Sequence, residues 1–239
     1  MIEQNHQNLE AVLESRATLV EDYFRLTRQQ VSYLSQDDMI VRATKSFTQA
    51  YETLTRDIER PTGAESEVHA ELLAFYAEEL RGQADVQDQD RNEGLLQSKL
   101  PRSDVGQLAQ WVYLVKNPNE ADARNELFST SYESEYEDVH RNYHPKLNHF
   151  LKSFDFRDVF LLDVAGNMVY STQKETDFAT NLIEGPHSGT GLGRAYRGAM
   201  AANARGLSSR ISSPTPRVTA NRRPSLRPPF SMGNAGLAP

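Results

Sequence analysis

Apolar residues recur at steps of three and four along most of the first 155 positions. Leu9, Val12, Leu13, Leu19, Val20, Tyr23, Phe24, Val31 and Leu34 fall on one broad stripe and predict a long amphipathic helix over Leu9–Leu34. Ser35, with Asp38 three residues later, has the spacing of a capped helix start. The following helix carries Met39, Ala43, Phe47, Tyr51, Leu54 and Ile58, and Pro61-Thr62-Gly63 ends it. A third helix runs from about Ala64 to Leu80 on Val68, Leu72, Phe75, Tyr76 and Leu80, and the polar stretch from Gly82 to Gly94 reads as a loop. Ser103 caps a further helix carrying Val105, Leu108, Trp111, Val112 and Val115, which Asn117-Pro118 breaks because the residue before proline avoids the α region. A last long helix is expected over about Glu120–Tyr143, on Leu127, Phe128, Tyr132, Tyr136, Val139 and Tyr143, with Pro145 interrupting it.

The period changes after Phe156. Val159-Phe160-Leu161-Leu162-Asp163-Val164 is a short apolar run, Ala165-Gly166-Asn167 a turn, and Met168-Val169-Tyr170-Ser171-Thr172 a second, β-rich run. A polar loop, Gln173 to Glu184, leads into Gly185–Gly193 and a short helix from about Leu192 to Ala204. A two-stranded hairpin is marginal alone, so this unit is expected to expose unpaired strand edges. The pattern implies an α+β chain in three parts: a helical segment over residues 1–155, an incomplete antiparallel sheet unit over 156–204, and a tail over 205–239.

The tail has a different composition. From Arg205 to Pro239 there is no Asp, Glu or Lys, and the hydrophobic period stops. Such a stretch is either a disordered Pro/Ser/Arg segment or translation in the wrong frame.

Composition narrows the function classes. The 239 residues carry a formal net charge of −7, which argues against a nucleic-acid or anionic-membrane binder for the body of the chain. With no cysteine there is no disulfide, thiolate nucleophile or thiolate zinc site. The first residues are polar, not a signal peptide, and no run approaches the ~20 apolar residues of a membrane span, so the chain as written is expected to be soluble.

Candidate chemistry is sparse. His140 and His144 stand one helical turn apart with Glu137 upstream and His149 nearby, a spacing that could present imidazoles to a metal. Without an HExxH pattern the simpler expectation is a polar helix end, and no metal site is assigned. Gly189-Thr190-Gly191-Leu192-Gly193 lacks the spacing of a dinucleotide or phosphate loop and reads as a hinge or helix start. The loop leaving the second strand gathers more: Tyr170, Lys174, Asp177 and Phe178 bring an aromatic, a cation, an acid and an apolar wall together. These four are the candidate ligand-binding residues; the bland alternative is a solvated loop in which Lys174 and Asp177 pair. No catalytic triad or paired-carboxylate site is present, so binding rather than catalysis is expected, with no cofactor.

One run is more specific. Tyr143-His144-Pro145, Phe150-Leu151, Phe154, Asp158-Val159-Phe160-Leu161-Leu162-Asp163, Gly166-Asn167-Met168-Val169-Tyr170-Ser171, Lys174-Glu175, Asp177-Phe178 and Thr180-Asn181-Leu182 together resemble the periplasmic sensor region of bacterial methyl-accepting chemotaxis receptors. Related sensor regions front membrane adenylate or guanylate cyclases and histidine kinases. The resemblance covers about residues 1–204, weakly upstream through Tyr113-Leu114-Val115 and Asn117-Pro118. It implies a helical segment followed by a PAS/Cache-like domain, more sheet strands after the last helix, and membrane spans and an output module outside this chain. Shifted by one base, with permitted synonymous codons, Ala220–Gly236 can encode GEPAAFIAAPIFDGERR, close to the expected continuation, which makes a frame slip near Arg205–Arg210 the leading account of the tail. The resemblance implies an inner-membrane receptor whose periplasmic part binds an unknown small molecule and works as a homodimer through the long helices, with the Leu9–Leu34 helix as signal rod. A chemotaxis receptor is the leading output, with a nucleotide cyclase or histidine kinase as the alternative. A stand-alone helical interaction protein is the alternative of a different class.

Overall fold

The computed structural model describes residues 2–58, 64–81 and 93–204. The breaks expected at Pro61-Thr62-Gly63 and the tail over 205–239 lie outside the described residues, as does most of the loop expected over 82–94. Among the described residues there are seven α-helices and one two-stranded antiparallel sheet, an α+β architecture in which helix dominates.

α1 (Ile2–Leu34) extends the predicted helix back to Ile2. At 1.5 Å per residue its 33 residues span about 50 Å. Its apolar stripe stays in solvent: Leu13, Leu19, Tyr23 and Tyr33 are more than half exposed. Neither this helix nor any other described helix is long and apolar enough to cross a membrane.

α2 (Asp38–Asp57) forms the floor of the main core through Ala43, Phe47, Ala50, Tyr51 and Leu54, all at helical spacing. Its N-cap is Asp37, whose Oδ1 accepts from Met39 N at 2.8 Å and Ile40 N at 3.3 Å. Ser35, expected in that role, turns back to donate to the Ser32 carbonyl. An acidic cap suits the positive end of the helix dipole.

α3 (Ala64–Arg81) pairs with α4 (Glu93–Lys99), a short helix the sequence pattern does not announce, around Leu72, Tyr76, Leu96 and Leu100. α5 (Asp104–Gln110) starts at Ser103, whose Oγ accepts from Gly106 N. It widens into one π-helical turn, Trp111–Val115, before the chain leaves the helix ahead of Asn117-Pro118.

The last bundle helix differs most from expectation. Residues 120–134 are irregular chain around one 3₁₀ turn, Arg124–Glu126, and α6 runs over Glu135–Phe154. Ser134 is its N-cap, accepting from Glu137 N at 3.1 Å. Pro145 lies inside α6 and does not end it. The proline removes one backbone donor, and the buried side chains Leu147 and Leu151 beyond it hold the helix against the core.

β1 (Phe160–Leu162) and β2 (Met168–Ser171) pair antiparallel, with a bulge between Leu161 and Leu162. Gly166, at φ 89°, makes the turn that only glycine adopts without strain. All four β2 residues are buried, against α2 and under the Tyr136 and His144 side chains of α6. The far edge of β2 is largely satisfied, which corrects the expected bare edge. Met168 N donates to the Thr180 carbonyl, Asn167 bridges Asn181, and the Tyr136 hydroxyl donates to the Val169 carbonyl at 2.7 Å. α7 (Gly191–Ala204) closes the described chain.

Candidate functional site

Three helical side chains hold the loop after β2 by its backbone. The Tyr51 hydroxyl donates to the Ala179 carbonyl at 3.3 Å, and Gln110 Nε2 donates to the Phe178 and Thr176 carbonyls at 2.6 and 3.1 Å. The Tyr76 hydroxyl shares its proton between Thr176 O and Gln110 Oε1, both at 3.0 Å. Tyr136, from α6, holds β2 itself. These bonds place the loop inside the molecule, against the alternative of a solvated loop.

The loop's own shape is set by Asp158. Its Oδ1 accepts from Val159 N, Thr172 N and Gln173 N, and its Oδ2 from the Ser171 hydroxyl at 2.7 Å. Ser171 Oγ in turn accepts from Lys174 N at 2.9 Å. That clasp holds Lys174 at φ 55°, a left-handed conformation costing a side-chain-bearing residue about 1–2 kcal/mol. The result is a lysine directed into the interior and 1% exposed.

Lys174 Nζ ends 3.3 Å from His144 Nδ1 and 3.4 Å from the Thr172 carbonyl, 5.7 Å from the Tyr170 ring centre. Among the described residues no carboxylate lies within ion-pair distance of it. The ion pair between Lys174 and Asp177 that the alternative reading called for is not formed. Burial, the dominant effect, pulls its pKa down to about 7, against the weaker opposing pull of Asp158 and Glu137.

The proton arrangement around His144 follows from its partners. Nε2 lies 2.8 Å from the Asn125 carbonyl, which can only accept, so Nε2 carries the proton. Nδ1 is then an acceptor, shared by the Tyr170 hydroxyl at 2.7 Å and the Lys174 ammonium. Burial, then the Lys174 charge, push the His144 pKa down to about 3, so the ring is neutral. His140 stacks on it at 4.4 Å with 14° between planes and lies 5.0 Å from the Tyr113 ring, which the π turn supplies. His140 is fully buried, and neither ring nitrogen has a partner in hydrogen-bond geometry. The Phe128 backbone adds only a weak pull toward protonation; burial dominates and holds the His140 pKa well below the ordinary range. The Thr172 hydroxyl is buried beside the Tyr170 hydroxyl, whose acidity it favours, though burial dominates there.

The acids Glu137 and Asp158 near this cluster are already supplied with donors. Glu137 accepts from the Tyr113 hydroxyl at 2.8 Å and from Thr130 N and Oγ1 at 3.1 and 2.9 Å. Asp158 has its four donors, although burial still lifts its pKa to about 7.

The four sequence candidates therefore separate. Tyr170 and Lys174 meet at His144. Phe178 belongs to the main core, edge-on to Tyr113 at 6.2 Å. Asp177 is buried, and its charge is felt at Tyr76 on α3 and at Asp158. In place of Phe178 and Asp177 the structure sets His140, His144 and Thr172. The two histidines were visible as an i, i+4 pair; what the sequence did not announce is that their face of α6 is an inner one. They make no metal pair: both His144 nitrogens are engaged and the rings lie nearly parallel. Among the described residues no group of three His, Cys, Asp or Glu side chains is placed to hold a metal ion.

No family model matches the chain, and neither a curated protein nor a solved structure matches it.

Proposed function

We propose that this chain is the extracytoplasmic sensing segment of a transmembrane signal transducer, most simply a methyl-accepting chemotaxis receptor, with a PAS/Cache-like unit over residues 156–204. A membrane nucleotide cyclase or histidine kinase uses the same kind of front end and is the alternative output. In this proposal the parent protein sits in the inner membrane with this segment on the periplasmic side.

The observation that carries the reading is the buried Lys174, held inward on a left-handed turn against Tyr170 and His144 without a counter-charge. A stable scaffold gains nothing from an unpaired interior ammonium, which costs desolvation energy. A binding site has a use for one. The exposed stripe of α1 supports the second part of the proposal, a homodimer in which two such helices pair as the signal rod. The proposal assigns the chain no enzymatic activity and no cofactor.

The test is a thermal-shift screen of the full chain against amino acids, carboxylates, amines, sugars and nucleosides. At least one compound is expected to raise the melting temperature of the wild type and not of Lys174→Ala. If no compound does so, small-molecule sensing at this place is wrong. Sedimentation equilibrium of the wild type and of Leu13→Asp/Leu19→Asp tests the rod: a dimer that becomes a monomer is expected, and a monomeric wild type removes the rod.

A further inference from the structure

The rod of the sensing proposal, on which this inference rests, has a face left largely in solvent. Leu9, Val12, Leu19, Tyr23, Leu26 and Tyr33 are each at least 50% exposed. With Arg16 and Gln30 they form one row along α1, at strictly alternating steps of three and four. That is the period of about 3.5 residues of a coiled-coil seam, not the period of about 3.6 of a helix lying on a globular core. Phe24, Val31 and Leu34, which are partly buried, stand off this row. Burying the six apolar members in two copies removes roughly 1,400 Å² from water, inside the roughly 1,200–2,000 Å² of a specific interface.

The polar members of the row choose the orientation. An antiparallel pair centred on the row sets Arg16 against Leu26 and Gln30 against Val12, which buries a guanidinium and an amide on apolar groups. A parallel pair in register sets each residue against its own counterpart. Gln30 then meets a second amide, which both donates and accepts, and a polar pair at one core position fixes register. Arg16 meets a second guanidinium. Its neighbours three and four residues away on α1 are Val12, Leu13, Leu19 and Val20, and among the described residues no carboxylate forms an ion pair with it. Two like charges in an apolar layer need an anion between them, and the guanidinium fork matches the oxygens of a tetrahedral oxyanion.

We infer that two copies of α1 pair in parallel and in register, and that a divalent oxyanion seated between the two Arg16 side chains strengthens the pairing. Two guanidiniums balance one dianion, whereas chloride brings a single charge and no pair of oxygens for the two forks. The pairing is therefore conditional. The apolar layers supply the attraction, and the Arg16 layer opposes it until the anion is in place.

The experiment is sedimentation equilibrium of the full chain in sodium chloride and in sodium sulfate at equal ionic strength. The wild-type dimer is expected to be about tenfold or more tighter in sulfate. Arg16→Leu should dimerise more tightly than wild type in chloride and should gain nothing from sulfate. An equal gain in Arg16→Leu is general salting-out and overturns the inference, as does an Arg16→Leu dimer no tighter than wild type. Orientation is read separately. The chain has no cysteine, so Val12→Cys and Leu26→Cys each supply a single thiol. Parallel pairing sets each thiol beside its own copy, and oxidation should give a disulfide dimer from both variants. In the antiparallel alignment the two Val12→Cys thiols lie about 27 Å apart, so a dimer without these cross-links overturns the inference. A monomer in both salts removes the rod as well. A dimer indifferent to sulfate leaves the rod standing and removes only this inference.

Discussion

Replacing Lys174 by methionine should stabilise the chain without ligand at neutral pH, and the gain should vanish in alkali. The folded-state pKa of about 7 against 10.5 for the free amine means that the unfolded chain binds more protons between these values. Stability contributed by this residue therefore rises as pH climbs from 7 to 10.5, and below 7 the full penalty is present. At 1.36 kcal/mol per unit the penalty is about 4 kcal/mol at pH 7 and about 1 kcal/mol at pH 9.5. Methionine keeps the length and apolar stem of lysine but loses the bonds to Thr172 O and His144 Nδ1, a loss of about 2 kcal/mol. The variant should thus be about 2 kcal/mol more stable than wild type at pH 7 and equal or slightly less stable at pH 9.5. Urea denaturation at pH 7, 8 and 9.5 reads this directly, and at pH 7 the midpoint of thermal unfolding should rise by about 4–8 °C. Comparing the two proteins cancels the titrations they share. A variant less stable than wild type at pH 7, or a difference that does not change with pH, would refute the argument that Lys174 is a buried, uncompensated base.

Three further substitutions test the frame around it. Tyr136→Phe removes the donor to the Val169 carbonyl and leaves that carbonyl buried, so chemical denaturation should show a loss of about 1–3 kcal/mol. Gly106→Ala places a methyl 2.6 Å from the Ala179 carbonyl and 2.7 Å from Pro101 Cβ, and a melting curve should show a loss of about 1–3 kcal/mol. Asp37→Ala removes the cap of α2 and should cost about 1 kcal/mol, whereas Ser35→Ala should be neutral within about 0.5 kcal/mol; equal losses would restore Ser35 as the cap.

The periodic elements were legible because their apolar residues act alone. The stripes of α2 and α3 and the hairpin turn at Gly166 each follow from a local pattern. The start of α6 was not, because Leu127, Phe128 and Tyr132 keep helical spacing while the chain turns; Leu127 is buried and Phe128 exposed. The start lay instead in the Ser134–Glu137 spacing. The site was half legible. Tyr170 and Lys174 stood out by type, but nothing in the local pattern turns Lys174 inward, since that depends on Asp158, twelve or more residues before its furthest partners. His140 and His144 looked like a solvated helix end because Pro145 seemed to stop the helix. Once α6 runs through Pro145, the two rings sit mid-helix, with Tyr136 and Leu147 buried on either side in sequence.

The arrangement ties the charge state of Lys174 to the helices by short routes. The 171–176 turn that holds the lysine is clasped by Asp158 at one end. At the other, the carbonyls of Thr176, Phe178 and Ala179 are held by Tyr76 on α3, Gln110 on α5 and Tyr51 on α2. Under the sensing proposal a group seated against the ammonium would displace the turn, and the turn cannot move without lengthening those bonds or carrying the side chains with it. Interiors packed this closely respond by repacking and not by stretching. α2 is joined to α1 through only Ser35, Gln36 and Asp37, and Asp37 is also the N-cap of α2. A small rotation of α2 about its axis therefore reaches the base of a helix about 50 Å long, at whose far end it becomes a large displacement. Under the sensing proposal, the useful property of this fold is that its least comfortable residue is wired to its longest lever.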